Sequence, residues 1–74
     1  MDIDALLDKV REKYQKQPHS TIDGLKIEFD KEWVHLRRSN TEPIIRIYSE
    51  GNSETIANNL ANKIITDIKE ILHL

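Results

Sequence analysis

The N-terminal segment carries apolar side chains at a helical spacing. From Asp2 to about Lys16, apolar positions recur every three or four residues, at Ile3, Leu6, Leu7, Val10 and Tyr14. This period predicts an amphipathic helix. Asp2 is the predicted N-cap, because its carboxylate can accept a hydrogen bond from an unpaired backbone amide of the first turn. Pro18 is expected to end the helix.

Between Ser20 and Glu50 the apolar period changes to two, which is typical of half-buried strands. The dipeptide Asp23-Gly24 predicts a tight turn with a short strand upstream and the strand LKIEF downstream. The connection Asp30-Lys31 leads to a strand in EWVHLRR, and a further strand follows in PIIRIYSE. We predict that one face of these strands turns toward the core; its side chains are Leu25, Ile27, Phe29, Val34, Leu36, Ile45 and Ile47.

The C-terminal segment returns to a helical period. Beyond Gly51, an apolar stripe predicts a second helix, with Asn52 or Ser53 as its N-cap; the stripe is Ile56, Leu60, Ile64, Ile68 and Ile71. The order is therefore helix, three or four antiparallel strands, helix. We predict one α+β domain spanning residues 1–74, in which both helices pack on one face of the sheet.

Composition narrows the range of functions. The chain has 74 residues and no cysteine, and its three scattered histidines are a poor basis for a metal site. Eleven basic residues against thirteen acidic ones give a net charge of -2, which argues against nucleic acid as a partner. No apolar run approaches the ~20 residues of a membrane span, and the acidic N-terminus lacks the features of a signal peptide. We therefore expect a cytoplasmic protein.

The stretch HLRRSNTEPIIRIYSE, residues 35–50, concentrates positive charge around one short loop. If the loop is centred between Thr41 and Glu42, Arg37 faces Arg46 on the side of the sheet away from the helices. Like charges directly opposite in an antiparallel pair are destabilising by some tenths of a kcal/mol. We expect this repulsion to be offset only when an anion lies between them, and the loop supplies hydroxyl, amide and backbone N–H donors to bind it. The spacing leaves open an alternative, a solvated strand end joined by an ordinary turn.

The same residues carry a resemblance to a known family. RRSNTEP followed by IIRIYSE resembles the phosphate-binding loop of the C-terminal domain of the α-D-phosphohexomutases. These enzymes are the phosphomannomutases, phosphoglucomutases and phosphoglucosamine mutases. Their pattern is Arg-x-Ser-(Asn or Gly)-Thr-Glu-Pro, with an arginine in the next strand, and the similarity extends through DGLKIEF and WVHLR into the last helix. The resemblance implies that the substrate-phosphate ligands are Arg37, Ser39, Asn40, Thr41 and Arg46.

The resemblance also implies that this chain is the fourth domain of a larger enzyme. Such an enzyme interconverts hexose 1-phosphate and hexose 6-phosphate through a phosphoserine and a bisphosphorylated sugar. The chain has no counterpart of the serine, metal or sugar loops of that family. We therefore expect no catalytic residue and no metal ligand here, Mg²⁺ bound by another domain of the parent, and an isolated chain without activity. The expected partners are the phosphate group of a hexose phosphate and the other domains.

Several positions fit the resemblance less closely. Arg38 stands where the family has a small residue or proline, and it is expected on the helix side of the sheet but splayed into solvent at the strand end. His35 shares the parity of Arg37, and the sequence leaves the roles of both Arg38 and His35 open. Trp33 and Tyr48 are expected on the same open face as contacts to a neighbouring domain. The alternative function is a freestanding small anion-binding or RNA-binding module. Neither the preferred hexose nor the oligomeric state follows from these residues.

Overall fold

The chain folds as a helix, four strands and a second helix. A computed structural model describes residues 2–39 and 44–73. The elements are α1 (Ile3–Lys13), β1 (His19–Ser20), β2 (Leu25–Glu28), β3 (Trp33–Arg38), β4 (Ile45–Glu50) and α2 (Glu54–Leu72). This order confirms the predicted α+β class.

The four strands form one antiparallel sheet in which each strand pairs with the next along the chain, in the order β1-β2-β3-β4. Leu25 and Ile27 of β2 lie opposite Leu36 and Val34 of β3. These four side chains are fully or almost fully buried. They form the core with Val10 of α1, with Tyr14 directly after α1, and with Leu60 and Ile64 of α2. Phe29, Ile45 and Ile47 pack half-buried around this cluster. The predicted core face is thus confirmed.

Both helices begin at side-chain caps. Asp2 Oδ1 accepts a hydrogen bond from the Ala5 backbone amide at 3.1 Å, as predicted. Ser53, rather than Asn52, caps α2, and its Oγ accepts from the Ile56 amide at 3.2 Å. Each cap satisfies one of the amides that the first helical turn leaves unpaired.

Helix α1 is shorter than predicted. It ends at Lys13, and Tyr14 leaves the helical region with φ -110° and ψ 25°. Pro18 restricts only the residue before it, so it does not explain an end several residues earlier. Instead, Tyr14 turns its ring into the core, where its hydroxyl contacts Asp67 of α2.

The loop between β1 and β2 packs closely on β3. It spans residues 21–24 and is therefore wider than the two-residue turn that Asp23-Gly24 predicts. Gly24 has a φ of 72°, a conformation that glycine adopts without strain. A Cβ at this position would also collide with the Leu36 carbonyl oxygen. Glycine is therefore required here, and the close approach fixes the loop against β3.

A buried carboxylate joins the two helices. Asp67 of α2 accepts hydrogen bonds from Lys13 Nζ, at 2.7 Å, and from the Tyr14 hydroxyl. Lys63 donates to the same hydroxyl, and its Nζ lies 3.7 Å from Asp67 Oδ2 and 4.6 Å from the centre of the Tyr14 ring. Each polar atom of this cluster has a partner, which offsets the cost of burying a charge.

These contacts shift the ionisation of the cluster. Burial raises the pKa of Asp67, but the hydrogen bonds from Lys13 and Tyr14 and the charge of Lys63 outweigh it, so the pKa lies below its ordinary value. Burial and the hydrogen bond to Asp67 raise the pKa of Tyr14. Asp67 therefore stays ionised, and Tyr14 stays a hydrogen-bond donor, across the neutral range.

We predict that Asp67 makes the stability of the domain depend on acid pH. Because the folded-state pKa is depressed, the contribution of Asp67 is complete above the unfolded pKa of about 3.9 and is lost as pH falls through the folded value. Asp67→Asn should lower the free energy of unfolding at pH 7 by about 1–3 kcal/mol. The difference from the unmodified chain should shrink toward pH 3 in urea titrations.

The matched control is Asp8→Asn, which removes an exposed carboxylate 3.8 Å from Arg11 on the surface of α1. It should change the free energy of unfolding by less than about 0.5 kcal/mol at either pH. An Asp67→Asn effect that is equally large at pH 7 and pH 3 would contradict the assignment.

Candidate functional site

The register of β3 and β4 brings two arginines of the predicted site together. Arg37 lies directly opposite Arg46 across the ladder, as the loop position predicts. The Ser39 amide donates to the Ile44 carbonyl at 3.0 Å, so the strand pairing continues to the base of the loop. The predicted ligands Asn40 and Thr41 lie outside the described residues. Arg37, Ser39 and Arg46 are thus brought to one end of the sheet.

Arg37 has a carboxylate partner that was not predicted from the sequence. Its Nη2 lies 3.1 Å from Oδ2 of Asp23, in the β1–β2 loop. The two side chains are 49% and 63% exposed, so the pair stands in water-accessible surroundings. The expectation that the repulsion between the two arginines is offset only by a bound anion is therefore wrong, because Asp23 already offsets part of it.

His35 holds the loop that carries Asp23. Its Nε2 contacts the Asp23 carbonyl oxygen, which can only accept a hydrogen bond, so Nε2 carries the proton. His35 is half-buried on the open face of the sheet, as its parity predicts. Its contact is made to the main chain of the loop, so the role that the structure gives it is structural.

Arg38 occupies the other side of the strand end. It pairs with Ile45 in the ladder, and its Nη1 lies 3.1 Å from Oδ2 of Asp4 on α1. This position on the helix side is the one that strand parity predicts. The side chain remains 56% exposed, which agrees with the expectation that it splays into solvent at the strand end.

Arg46 differs from Arg37 and Arg38 in the charged groups that surround it. It is exposed, and among the described residues no carboxylate lies within ion-pairing distance of it. Among the described residues, Asp23 and Asp4 partly neutralise Arg37 and Arg38, whereas no carboxylate neutralises Arg46. Within the part of this strand end that the structure describes, the unbalanced positive charge lies on the open face.

A cleft of about 420 Å³ lies beside the strand end, between α1, the β1–β2 loop and β3. Its charged lining residues are Asp4, Asp8, Arg11, Asp23, Arg37 and Arg38. Acidic and basic groups are equal in number there, and Arg46 does not contribute to the lining. The cleft therefore has no electrostatic preference for an anion, and the arginine pair on the open face is the better candidate.

The open face also carries aromatic side chains, as predicted. Tyr48 is 45% exposed on β4, two positions from Arg46. Trp33 is half-buried on β3, with Nζ of Lys26 4.9 Å from the centre of its ring. A contact of these aromatic residues with a neighbouring domain remains a prediction.

Metal-ligating side chains do not converge in the described part of the chain, where no group of three or more His, Asp or Glu could hold an ion. Within residues 2–39 and 44–73, no helix is both long and apolar enough to cross a membrane.

Comparison with known proteins places the sequence in a family. The family model described as the phosphoglucomutase/phosphomannomutase C-terminal domain matches residues 2–67, which include both arginines and the loop between them. The chain belongs to this family. It is 51% identical over 55 residues to a phosphoglucomutase/phosphomannomutase of Thermococcus kodakarensis, and 33% identical over 70 residues to a probable phosphoglucosamine mutase of Pyrococcus horikoshii.

These alignments cover 72% and 95% of the chain but only 12% and 16% of the two relatives. A phosphoglucosamine/phosphogalactosamine mutase of Sulfurisphaera tokodaii is 52% identical over 44 residues, which are 60% of the chain and 10% of that protein. The chain thus spans a small part of the length of the mutases that it matches.

We predict that Arg46 destabilises the domain when no anion is bound. Arg46→Gln should raise the free energy of unfolding by about 0.2–1 kcal/mol at low salt, because it removes a cross-strand repulsion. Arg37→Gln, its matched control, removes the same repulsion but also the ion pair with Asp23, so it should gain less. Urea titrations in a phosphate-free buffer measure both values, and the gain should shrink as salt is added. An equal or larger gain for Arg37→Gln would contradict the proposed charge balance.

Proposed function

We propose that this chain is the substrate-phosphate-binding domain of a phosphohexomutase. The observation that carries the proposal is the juxtaposition of Arg37 and Arg46 at the base of the loop RRSNTEP, whose sequence resembles the phosphate-binding loop of this family. Arg37 and Arg46 place two guanidinium groups on paired strands. Each guanidinium holds its N–H donors at a fixed spacing, which the flexible ammonium group of a lysine does not.

The ligand set of the proposal is completed by the loop. Ser39, Asn40 and Thr41 supply hydroxyl and amide donors, and Arg37 and Arg46 supply the charge. A phosphate oxygen can accept from several donors at once, so such a set fixes the orientation of the group as well as its position.

The chemistry that such a site supports is positioning. Phosphoryl transfer depends mainly on alignment and on neutralisation of charge around the phosphate groups. In the proposed parent reaction, a phosphoserine of another domain exchanges phosphate with a hexose monophosphate through a bisphosphorylated sugar. This domain holds the phosphate that is not reacting, so it supplies no catalytic group. Mg²⁺ belongs to another domain, and we propose that the parent works in the cytoplasm.

The alternative of a freestanding RNA-binding or anion-binding module is not favoured. The chain belongs to a mutase domain family and has a net charge of -2, whereas a strand-type RNA-binding surface is normally basic and rich in exposed aromatic residues.

We predict that the chain binds inorganic phosphate weakly at the arginine pair. A single site open to water should have a dissociation constant in the millimolar range, equivalent to ~4 kcal/mol. A phosphate titration followed by backbone amide shifts should show changes clustered at Arg37 to Thr41 and at Arg46. Arg37→Ala and Arg46→Ala should each weaken binding about 10-fold or more, because each removes a charge-assisted contact.

Arg38→Ala is the matched control for this titration. It removes an arginine of the same strand end whose partner is Asp4 on the helix side. Its affinity for phosphate should stay within about 3-fold of the unmodified chain, the share expected from net charge alone. Shifts spread over the lysines of the two helices, or equal losses in all three variants, would count against the proposed site.

We further predict that the isolated chain has no mutase activity. The proposed reaction needs a phosphoserine and a metal site, and the chain has no counterpart of either motif. Incubation with glucose 1-phosphate or mannose 1-phosphate and Mg²⁺ should yield no 6-phosphate above the level of a mock preparation from the same host. Turnover that persists after removal of the host enzyme would overturn the assignment of this chain as one part of a larger site.

A further inference from the structure

We propose that Asp23 is an internal competitor for the phosphate site. Its carboxylate pairs with Arg37, with Nη2 and Oδ2 3.1 Å apart, and in this proposal phosphate displaces the carboxylate when it binds. This inference rests on the proposed function, because it concerns the same arginine. It adds a residue outside the RRSNTEP motif that sets the affinity of the site.

The position of Asp23 is fixed by contacts that do not involve its carboxylate. His35 donates a hydrogen bond to the Asp23 carbonyl, and the next residue, Gly24, packs so closely on β3 that a Cβ would collide with the Leu36 carbonyl oxygen. Both contacts are made through the main chain of the β1–β2 loop. The backbone of Asp23 is therefore held beside β3 whether or not the ion pair with Arg37 forms.

The exposure of the Asp23–Arg37 ion pair favours a carboxylate that competes with phosphate for Arg37 over one that orients Arg37 for phosphate. A carboxylate that orients an arginine for a ligand is normally buried and held by further hydrogen bonds. Here the side chains of Asp23 and Arg37 are 63% and 49% exposed, so the carboxylate can turn into water at little cost. While it remains beside Arg37, its negative charge both engages the guanidinium and repels an incoming anion. Phosphate brings a larger charge and more acceptor oxygens, and it can therefore replace the carboxylate.

The test compares two variants that each remove one aspartate from an arginine of this strand end. Asp23→Asn frees Arg37, which is a proposed phosphate ligand, and it keeps the carbonyl that His35 contacts. Asp4→Asn frees Arg38, which is not a proposed ligand. Both variants change the net charge equally. Inorganic phosphate is titrated into the 74-residue chain and followed by backbone amide shifts at constant ionic strength.

Asp23→Asn should bind phosphate about 3- to 10-fold more tightly than the unmodified chain, because a competing negative charge is removed at close range. Asp4→Asn should bind within about 2-fold of the unmodified chain. In the unmodified chain, the side-chain carboxyl carbon of Asp23 should shift at the same phosphate concentrations as Arg37. This carbon signal gives a result even if the Asp23→Asn variant folds poorly.

Weaker phosphate binding by Asp23→Asn would show that the Asp23 carboxylate orients Arg37 for the ligand. Unchanged binding would show that the carboxylate does not affect the site. Either result overturns the inference while leaving the proposed function intact. The same holds if the carboxyl carbon signal of Asp23 does not shift during the phosphate titration. Equal gains in both variants would also overturn it, since they would reflect net charge alone. If the unmodified chain binds no phosphate at Arg37 and Arg46, the proposed function fails, and this inference fails with it.

Discussion

The antiparallel pairing of β3 with β4 is the constraint on which the candidate site depends. Side chains alternate between the two faces of a strand, so a slip of one residue would turn Arg37 into the core and Leu36 into water. Leu36 is fully buried, and its partner Ile47 packs against the same core. Burial of apolar side chains therefore locks the register, and the register then places Arg37 opposite Arg46. The hydrophobic core thus enforces an electrostatically unfavourable pair.

The surrounding charges reduce this cost only in part. Arg37 and Arg38 each have a carboxylate from a different element, Asp23 from the β1–β2 loop and Asp4 from α1. Both ion pairs are exposed, and such pairs contribute little to stability. Arg46 has no such partner among the described residues, so positive charge remains on the open face beside the loop. A domain with a net charge of -2 thereby keeps a local excess of positive charge among the described residues of this face, where we propose the phosphate site.

Periodicity predicted the helices, the core face and the pairing of the two arginines, because each follows from local alternation and from one loop position. The buried cluster around Asp67 could not be predicted, since it depends on how α1 and α2 pack across one another. The Asp23–Arg37 ion pair could be predicted only in part. The observed register of β2 and β3, extended by one residue, sets Gly24 opposite Arg37, so the signal was present in the strand pattern. Because Asp-Gly is a common turn sequence, the pattern predicted only a turn and not the ion pair of Asp23 with Arg37.

The sheet separates the part of the domain that maintains the fold from the part proposed to bind phosphate. The core and the Asp67 cluster lie on the helix side, whereas Arg37 and Arg46 lie on the open face. Exchange of Asp23 for phosphate at Arg37 would therefore rearrange exposed side chains and leave the packed layer unchanged. A close-packed core resists gradual deformation, so a ligand that required it to move would bind and leave slowly. Under the proposed function, a weak site on an exposed face allows the domain to take up and release a phosphate group in each turnover.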